Sequence, residues 1–468
     1  MLMQRRFLPF LYAAYMLVAG LFCIILTPPF QVADEPAHFM RTFQIAGGGL
    51  VGVKRSSSES GGVLPVSVRQ LIDIFQDSGG TDKTQIMAGK IAASMVLPFN
   101  KTTEFAGFPN SVLYPPVSYT GAVAGVLVGK KLHSSMLGMF YLARAGNLLV
   151  NTAVGTLALC IAQDCTAVLL LLILALPMSV SLTASCSQDG MVLALMALAV
   201  ALLSYFCGLS AQARLCQGKI LIIAGLVSGC VAAAKMPYAL FLCLPFLCVG
   251  HKNFLSALLA SLTGFIVFAL WALFGSGPVI INFQVPGVMA AEQMIFVLHH
   301  IPFTLHVVLH TVHVRWWIML RESVGVLGWL NVLLPVGFYT LAYWVSGIVF
   351  VLSFFLRWPV GLSRSGLARS LGLLVVLAMV CLGIFVALYV TWTAVQAPMV
   401  QGVQGRYFLP VLMALSLLPA LLSMSDKPFT RYEYNISFLS DVLINITVIV
   451  FICASCITLY KTLIAQYW

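Results

Sequence analysis

Apolar runs near the roughly 20 residues that a helix needs to cross a bilayer recur along the whole of this chain, separated by short polar turns. The first, Phe7–Leu26, follows Arg5-Arg6 and ends at Pro28-Pro29, where a helix ladder cannot continue. It is of full spanning length and no small-residue cleavage site follows it, so it reads as an uncleaved membrane helix rather than a signal peptide. Tyr114-Pro115-Pro116 opens a second helix to about Gly129, and Lys130-Lys131 is expected to mark its cytoplasmic end. Further helices are expected over residues 136–160, 166–183 and 191–207. Residues 221–234 and 236–249 are two short apolar pieces broken at Lys235-Met236-Pro237. Runs at 254–274, 332–356, 371–390, 408–422 and 438–460 complete the set. Alternating ten-residue segments of the kind that close into membrane barrels are absent. The pattern predicts an all-α polytopic membrane protein with about 11–13 spanning helices.

Two stretches break the apolar pattern. Residues 27–111 carry seven of the fourteen acids: Asp34, Glu35, Glu59, Asp73, Asp77, Asp82 and Glu104. Residues 66–75 and 84–95 of this loop read as short amphipathic helices at the interface. A loop of this length without structure of its own is unusual and points to function. Residues 275–331 are also mixed and read as an external loop with interfacial helices. The chain thus divides into residues 1–274, 275–331 and 332–468.

Composition agrees with a membrane chain. Only 8% of residues are charged, against about 25% in soluble domains. The net charge of +11 would raise nucleic acid as a partner in a soluble protein. Here Lys and Arg are expected in cytoplasmic loops and near anionic lipid, as at Arg214, Lys219, His251-Lys252, Arg357, Arg364, Arg369, Lys427 and Arg431, and no nucleic-acid partner is read. The twelve cysteines lie mostly within apolar runs, with no CxxC pair or Cys/His metal spacing, so neither a disulfide framework nor a zinc site is read.

The rare charges carry the candidate chemistry. Asp34-Glu35-Pro36 puts two carboxylates where a helix should begin, since Pro suits a first turn and the preceding residue avoids helix. One carboxylate is enough for a cap, and two, followed by His38 and Arg41 on one face, point to a site. One acid would then do chemistry while the other holds structure or metal. Asp189, in Ser187-Gln188-Asp189-Gly190, is either a helix cap or a paired functional carboxylate. Lys235 either snorkels or meets a phosphate at a broken helix. Arg144 pairs with an acid or a phosphate, or sits at a cytoplasmic end. Gln404-Gly405-Arg406-Tyr407 is a compact polar turn whose Arg can grip phosphate or carboxylate. His299, His300, His306, His310 and His313 read as an interfacial polar stripe in preference to a metal site, because no acid completes a ligand set. P-loop, dinucleotide and serine-elbow motifs are absent.

Charge placement puts Asp34, Asp189, Lys235 and Arg406 on the external side. Counting three crossings between Tyr114 and Thr183 contradicts this for Asp189. A broken or re-entrant segment within residues 136–184, with Pro177 as the break, is expected to restore agreement.

The order of these features resembles the polytopic GT-C glycosyltransferase superfamily, which includes protein O-mannosyltransferases and aminoarabinose transferases. Four stretches are similar to a large family of bacterial membrane proteins generally grouped with these enzymes: Phe30-Gln31-Val32-Ala33-Asp34-Glu35-Pro36-Ala37-His38-Phe39, Ser187-Gln188-Asp189-Gly190, Val324-Gly325-Val326-Leu327-Gly328-Trp329 and Gln404-Gly405-Arg406-Tyr407-Phe408-Leu409-Pro410. The resemblance implies a catalytic module over residues 1–274 in a bacterial cytoplasmic (inner) membrane, its site facing the periplasm or cell exterior. It implies inverting transfer of a sugar from a polyprenyl-phosphate donor to a glycan, glycolipid or protein acceptor, for cell-envelope modification. Asp34 would be the general base. Glu35 or Asp189 would orient the acceptor or position a metal, leaving a divalent cation open as cofactor. Lys235 and Arg406 would hold the leaving phosphate, with His38, Arg41, Arg144, Gln404 and Tyr407 around the substrates. The third acid of some superfamily members is not recognisable. A transporter or flippase of lipid-linked saccharides is the competing reading, since broken helices and intramembrane charges serve both.

Overall fold

The structure, a computed structural model, describes residues 2–76, 83–281, 287–355, 364–422, 424 and 434–468. Asp77, Asp82, Arg357, Lys427 and Arg431, used above as acids or charge markers, lie outside the described residues, as do the side chains of Arg5, Arg6 and His251. The chain is an all-α polytopic membrane protein. Among the described residues, eight helices are long and apolar enough to cross a membrane, and up to ten if each of two bent pairs counts as one span. The remaining segments of the 11–13 expected are helical but short: Thr120–Lys131, Gly218–Ala234 and Met236–Leu247.

Packing register gives the direction of each helix. The first helix, Leu2–Leu26, runs antiparallel to Met136–Ile161, with Gly20 against Leu148 and Tyr12 against Gly155. Residues 136–143 therefore project beyond the end of the first helix, into the 27–111 loop. The Met136 amide donates to the Leu97 carbonyl at 3.0 Å. Thr120–Lys131 lies there too: Lys130 Nζ donates to the Ala46 carbonyl at 3.3 Å and sits over the Phe43 and Phe99 rings.

This corrects the expected topology. Thr120–Lys131 has 12 residues, so it spans about 18 Å against about 30 Å of hydrocarbon. It is a short helix at the same end of the bundle as Asp34, and Lys130-Lys131 marks no opposite face. The two lysines close the carbonyl end of a short helix, where cations are favoured, and the sequence pattern of a charged helix end is the same in either setting. Met136–Ile161 then leads away from the Asp34 end. The pair Cys165–Leu174 and Pro177–Thr183, bent by 71° at Pro177, leads back. The break was expected, but it is not what restores the count.

Asp189–Gly208 runs alongside Met136–Ile161, with Gly190 near Asn151 and Gly208 against Gln163. Gly218–Ala234 returns to the Asp34 end and delivers Lys235. It packs on Phe254–Leu270 through small residues, Gly225 facing Ala260 and Gly229 facing Gly264, which lets the backbones approach closely.

The 27–111 loop is a folded unit. Its helices Val66–Gln76 and Lys83–Met95 fall where the amphipathic pattern placed them. The pattern did not indicate the sheet beside them, in which Ser60–Pro65 pairs antiparallel with Thr103–Gly107 and Val53–Lys54. Phe39, Phe43, Leu71, Phe108 and Phe140 fill the core beneath. Ile301–Gly325 follows Ala290–His299 at a bend of 107°. Its His306, His310 and His313 are exposed on one face.

The corrected topology is checked by labelling in intact cells. In a background without accessible native cysteines, Lys131→Cys is expected to label from the same side as Asn110→Cys, and Gln217→Cys from the opposite side. Labelling of position 131 together with position 217 would overturn the assignment.

Candidate functional site

Five segments distant in sequence meet at one end of the bundle, the four motif-bearing stretches and the helix break at Lys235. Helix Glu35–Ala46 starts with Pro36 in its first turn. Asp34 precedes it in the left-handed region, φ 63°, and its carboxylate makes no capping bond. Such a conformation costs a non-glycine residue about 1–3 kcal/mol. What holds it is Arg406, whose Nη2 donates to Asp34 Oδ2 at 2.7 Å. Arg406 Nε lies 3.7 Å from Asp189 Oδ2. Lys235 Nζ donates to Asp189 Oδ1 at 2.8 Å. The result is a chain of alternating charge, Asp34–Arg406–Asp189–Lys235. Tyr407 places its ring under Lys235 Nζ, 4.3 Å from the centroid.

The Gln404–Tyr407 turn is set against Ile301–Gly325. Glu322 Oε2 accepts from the Gly405 amide at 2.7 Å, and Ser323 Oγ donates to the Gly405 carbonyl at 2.9 Å. A Cβ at position 405 would run into the Met319 carbonyl, so only glycine permits this approach. Glu322 had no role in the sequence reading, although an acid in a helix otherwise rich in apolar residues was a signal that could have found it. Gln404 lies beside the cluster with its Oε1 buried and unpartnered.

The turn holding Asp34 is fixed by a hairpin, Val326–Leu327 paired with Val332–Leu333. The Ala33 amide donates to the Gly328 carbonyl at 3.2 Å, and Trp329 Nε1 donates to the Phe30 carbonyl at 3.0 Å.

Glu35 faces away from this site. Its carboxylate receives both Arg144 Nε, at 2.8 Å, and Arg144 Nη2, at 2.6 Å, with both side chains fully buried. Arg144 also donates to the carbonyls of Ile24, Thr27 and Pro28, and Glu35 accepts from the Cys186 amide. Arg41 is fully buried as well, donating to Gln44 and to the carbonyls of Gly49, Leu50 and Tyr114. The structure therefore removes Glu35, Arg144 and Arg41 from the open part of the expected site, because they are buried and, Arg41 Nε apart, their polar groups are spent on the fold. Asp34 stands before the helix in a left-handed conformation and Glu35 lies in its first turn, which is why the two neighbouring carboxylates separate.

His38 is buried between these regions, with Nδ1 2.7 Å from Tyr119 Oη and its ring stacked toward Tyr114. Burial pushes its imidazole down from 6.5 to about 4, against the raising effect of Asp34 and Asp189. It is neutral at pH 7 and supports the Tyr114–Tyr119 turn.

Two cavities are lined by the two ends of the charged chain, one at Asp34 and the other at Lys235. One, about 610 Å³, is lined by Asp34, Gln31, Met40, Asn110 and Trp329 among others. The other, about 270 Å³, is an apolar cleft lined by Lys235, Pro237, Tyr407, Leu388 and Ile384 among others. The side chain of Asp34 is 35% exposed, whereas that of Arg406 is 4% exposed. A divalent cation does not fit the donors in place. Among the described residues no three His, Cys, Asp or Glu gather, and both site carboxylates are spent on cations.

Two outcomes test this partition. Arg144→Met leaves Glu35 buried and unpaired, and is expected to cost about 3–5 kcal/mol, read as a lowered melting temperature in detergent. Adding Glu35→Gln should return part of the loss, and an unchanged melting temperature for the single variant would contradict the clamp. For His38, the unfolded chain binds the proton more tightly than the folded one, so stability rises with pH between about 4 and 6.5. The contribution is complete above 6.5 and lost as pH falls toward 4. Melting temperatures across this window should fall less steeply with acid in His38→Gln than in the parent.

The family model described as "Predicted membrane protein (DUF2142)" matches residues 17–415. No curated protein and no solved structure matches the chain. With most of its length matched, including all four segments that build the charged cluster, the chain belongs to the DUF2142 family of membrane proteins.

Proposed function

We propose that the protein is a membrane glycosyltransferase of GT-C type, taking a sugar from a polyprenyl-phosphate donor to an acceptor at the outer face of a bacterial cytoplasmic membrane. The observation that carries this reading is that two cavities are lined by the two ends of one charged chain, with the part-exposed carboxylate Asp34 on the larger and the cation Lys235 on the apolar cleft. The motif resemblance adds to it. Transfer between two substrates needs two adjoining compartments, one of them greasy and ending in positive charge.

The prenyl chain lies along the cleft and its phosphate reaches Lys235 and Arg406. The phosphate competes with Asp34 and Asp189 for these cations, since cation–phosphate bonds are charge-assisted in the same way as the ion pairs they replace. Freed from Arg406, Asp34 accepts the proton of the acceptor hydroxyl. The acceptor oxygen bonds to the anomeric carbon as the carbon–oxygen bond to phosphate breaks. The bonding electrons leave on polyprenyl phosphate, which Lys235 and Arg406 stabilise where charge develops. A single displacement inverts the anomeric centre.

Asp34→Asn keeps a hydrogen-bond partner for Arg406 and removes the base. With purified protein, a polyprenyl-phosphate sugar and candidate acceptors, it is expected to lose about 10²–10⁴-fold in turnover, while donor binding is retained or tightened because the amide competes less for Arg406. Undiminished transfer by this variant would remove Asp34 as the base. Movement of the lipid-linked sugar across vesicles without any glycosyl transfer would replace the enzyme with a transporter.

A further inference from the structure

We infer that the 610 Å³ cavity beside Asp34 binds a saccharide, stacked on Trp329, so that the acceptor presents a glycan to the base. The inference rests on the transfer reading for the word acceptor, but the binding itself does not.

Trp329 is 49% exposed at the wall of this cavity. An exposed tryptophan on a membrane protein is ordinarily an interface anchor, with its N–H turned to water or headgroups. Here the indole N–H is already spent on the Phe30 carbonyl at 3.0 Å. What the ring leaves open is carbon surface, held in a fixed orientation. The residues on either side, Gly328 at φ 65° and Leu330 at φ 60°, are both left-handed, and the Trp329 amide is tied to Asn331 Oδ1 at 3.1 Å. The turn is therefore rigid and partly strained to present this one ring.

The same hairpin is bonded to the Phe30–Asp34 turn at two points, Trp329 to Phe30 and Gly328 to Ala33. Ring and carboxylate form one unit across the cavity. The other walls supply two amides, Gln31 and the exposed Asn110, beside apolar surface from Met40, Pro36, Ala37, Phe75 and Phe108. A pyranose has an apolar face of C–H groups and a rim of hydroxyls. It matches a fixed aromatic face bordered by amide donors and acceptors and one carboxylate. A prenyl or acyl chain would leave the amides and the carboxylate unpaired on desolvation, which is costly. The volume lies within the roughly 300–1,000 Å³ of small-molecule sites.

The test is isothermal titration of the full chain in detergent with maltotriose, chitotriose and mannotriose, and with a serine-containing tripeptide as the competing class. At least one trisaccharide should bind. Trp329→Leu should weaken it by tenfold or more, while Trp329→Phe, which keeps a ring face, should weaken it by less. Asn110→Trp fills the cavity from an exposed position without touching the Trp329–Phe30 bond, and should give the same loss if Trp329→Leu does not fold. Absence of binding by all three trisaccharides, binding indifferent to Trp329→Leu and Asn110→Trp, or binding of the tripeptide alone would each overturn the inference. Glycosyl transfer to the tripeptide without saccharide binding would overturn it and leave the transferase reading standing. Saccharide binding at Trp329 without any Asp34-dependent transfer would uphold it and overturn the transferase reading.

Discussion

The Glu35–Arg144 pair is the constraint on which the rest of the site depends. It is fully buried and doubly hydrogen-bonded, and Arg144 adds three carbonyls from the end of the first helix. Such a pair is weak evidence for net stability, because two desolvated charges cost about as much as their attraction returns. Its effect is on uniqueness. Four chain segments must stop at the right places for the guanidinium to be satisfied: Ile24–Pro28, Glu35, Met136–Ile161 and, through the Cys186 amide, the turn before Asp189. A shift of any one leaves a buried charge unpaired. Asn147 extends the clamp by donating to the Ser185 carbonyl at 2.7 Å and accepting from Ala122.

From this clamp the division of labour between adjacent acids follows. Glu35 is inside the helix and points into the bundle, and Asp34 is outside it, in a left-handed conformation that aims the carboxylate at the cavity. The hairpin at Trp329 and the turn at Arg406 press on Asp34 from two other directions. A residue so over-determined can hold a strained backbone, and strain of this kind collects where a group must be presented rather than merely accommodated.

The all-α membrane class, the loop helices and the break at Pro177 were legible because apolar run length and Pro placement act locally. The membership of the charged cluster was also legible, since a charge among apolar runs must find a partner. The count of crossings around Lys130-Lys131 was not. A short helix with basic residues at its end has the same sequence pattern whether it begins a span or lies beside one, and only tertiary packing on Ala46 and Leu97 decides. The role of Arg41 was illegible for a related reason, and pairing with an acid was one of several readings open for Arg144. Sequence marks an arginine as needing partners but does not say whether carbonyls and an acid of the same chain will supply them all. The sheet of the 27–111 loop escaped notice because its strands run through glycine and proline, which the β pattern discounts.

The charged chain has a further consequence. Both cations are paired with carboxylates, so the positive charge available to a neutral ligand is small. A neutral ligand entering the larger cavity meets an Asp34 already engaged by Arg406. An anion arriving by the apolar cleft meets Lys235 first, and it can take over the contacts that Asp189 and Asp34 now make. Under the transfer reading this orders events without a moving lid: the phosphate frees the Asp34 carboxylate by competing for its partner. A site that exposed a free carboxylate beside an activated sugar would invite water as acceptor. On the proposed reading, pairing Asp34 to Arg406 at 2.7 Å would keep the carboxylate occupied until a donor phosphate arrives, and Trp329 would then bound the space in which an acceptor can approach.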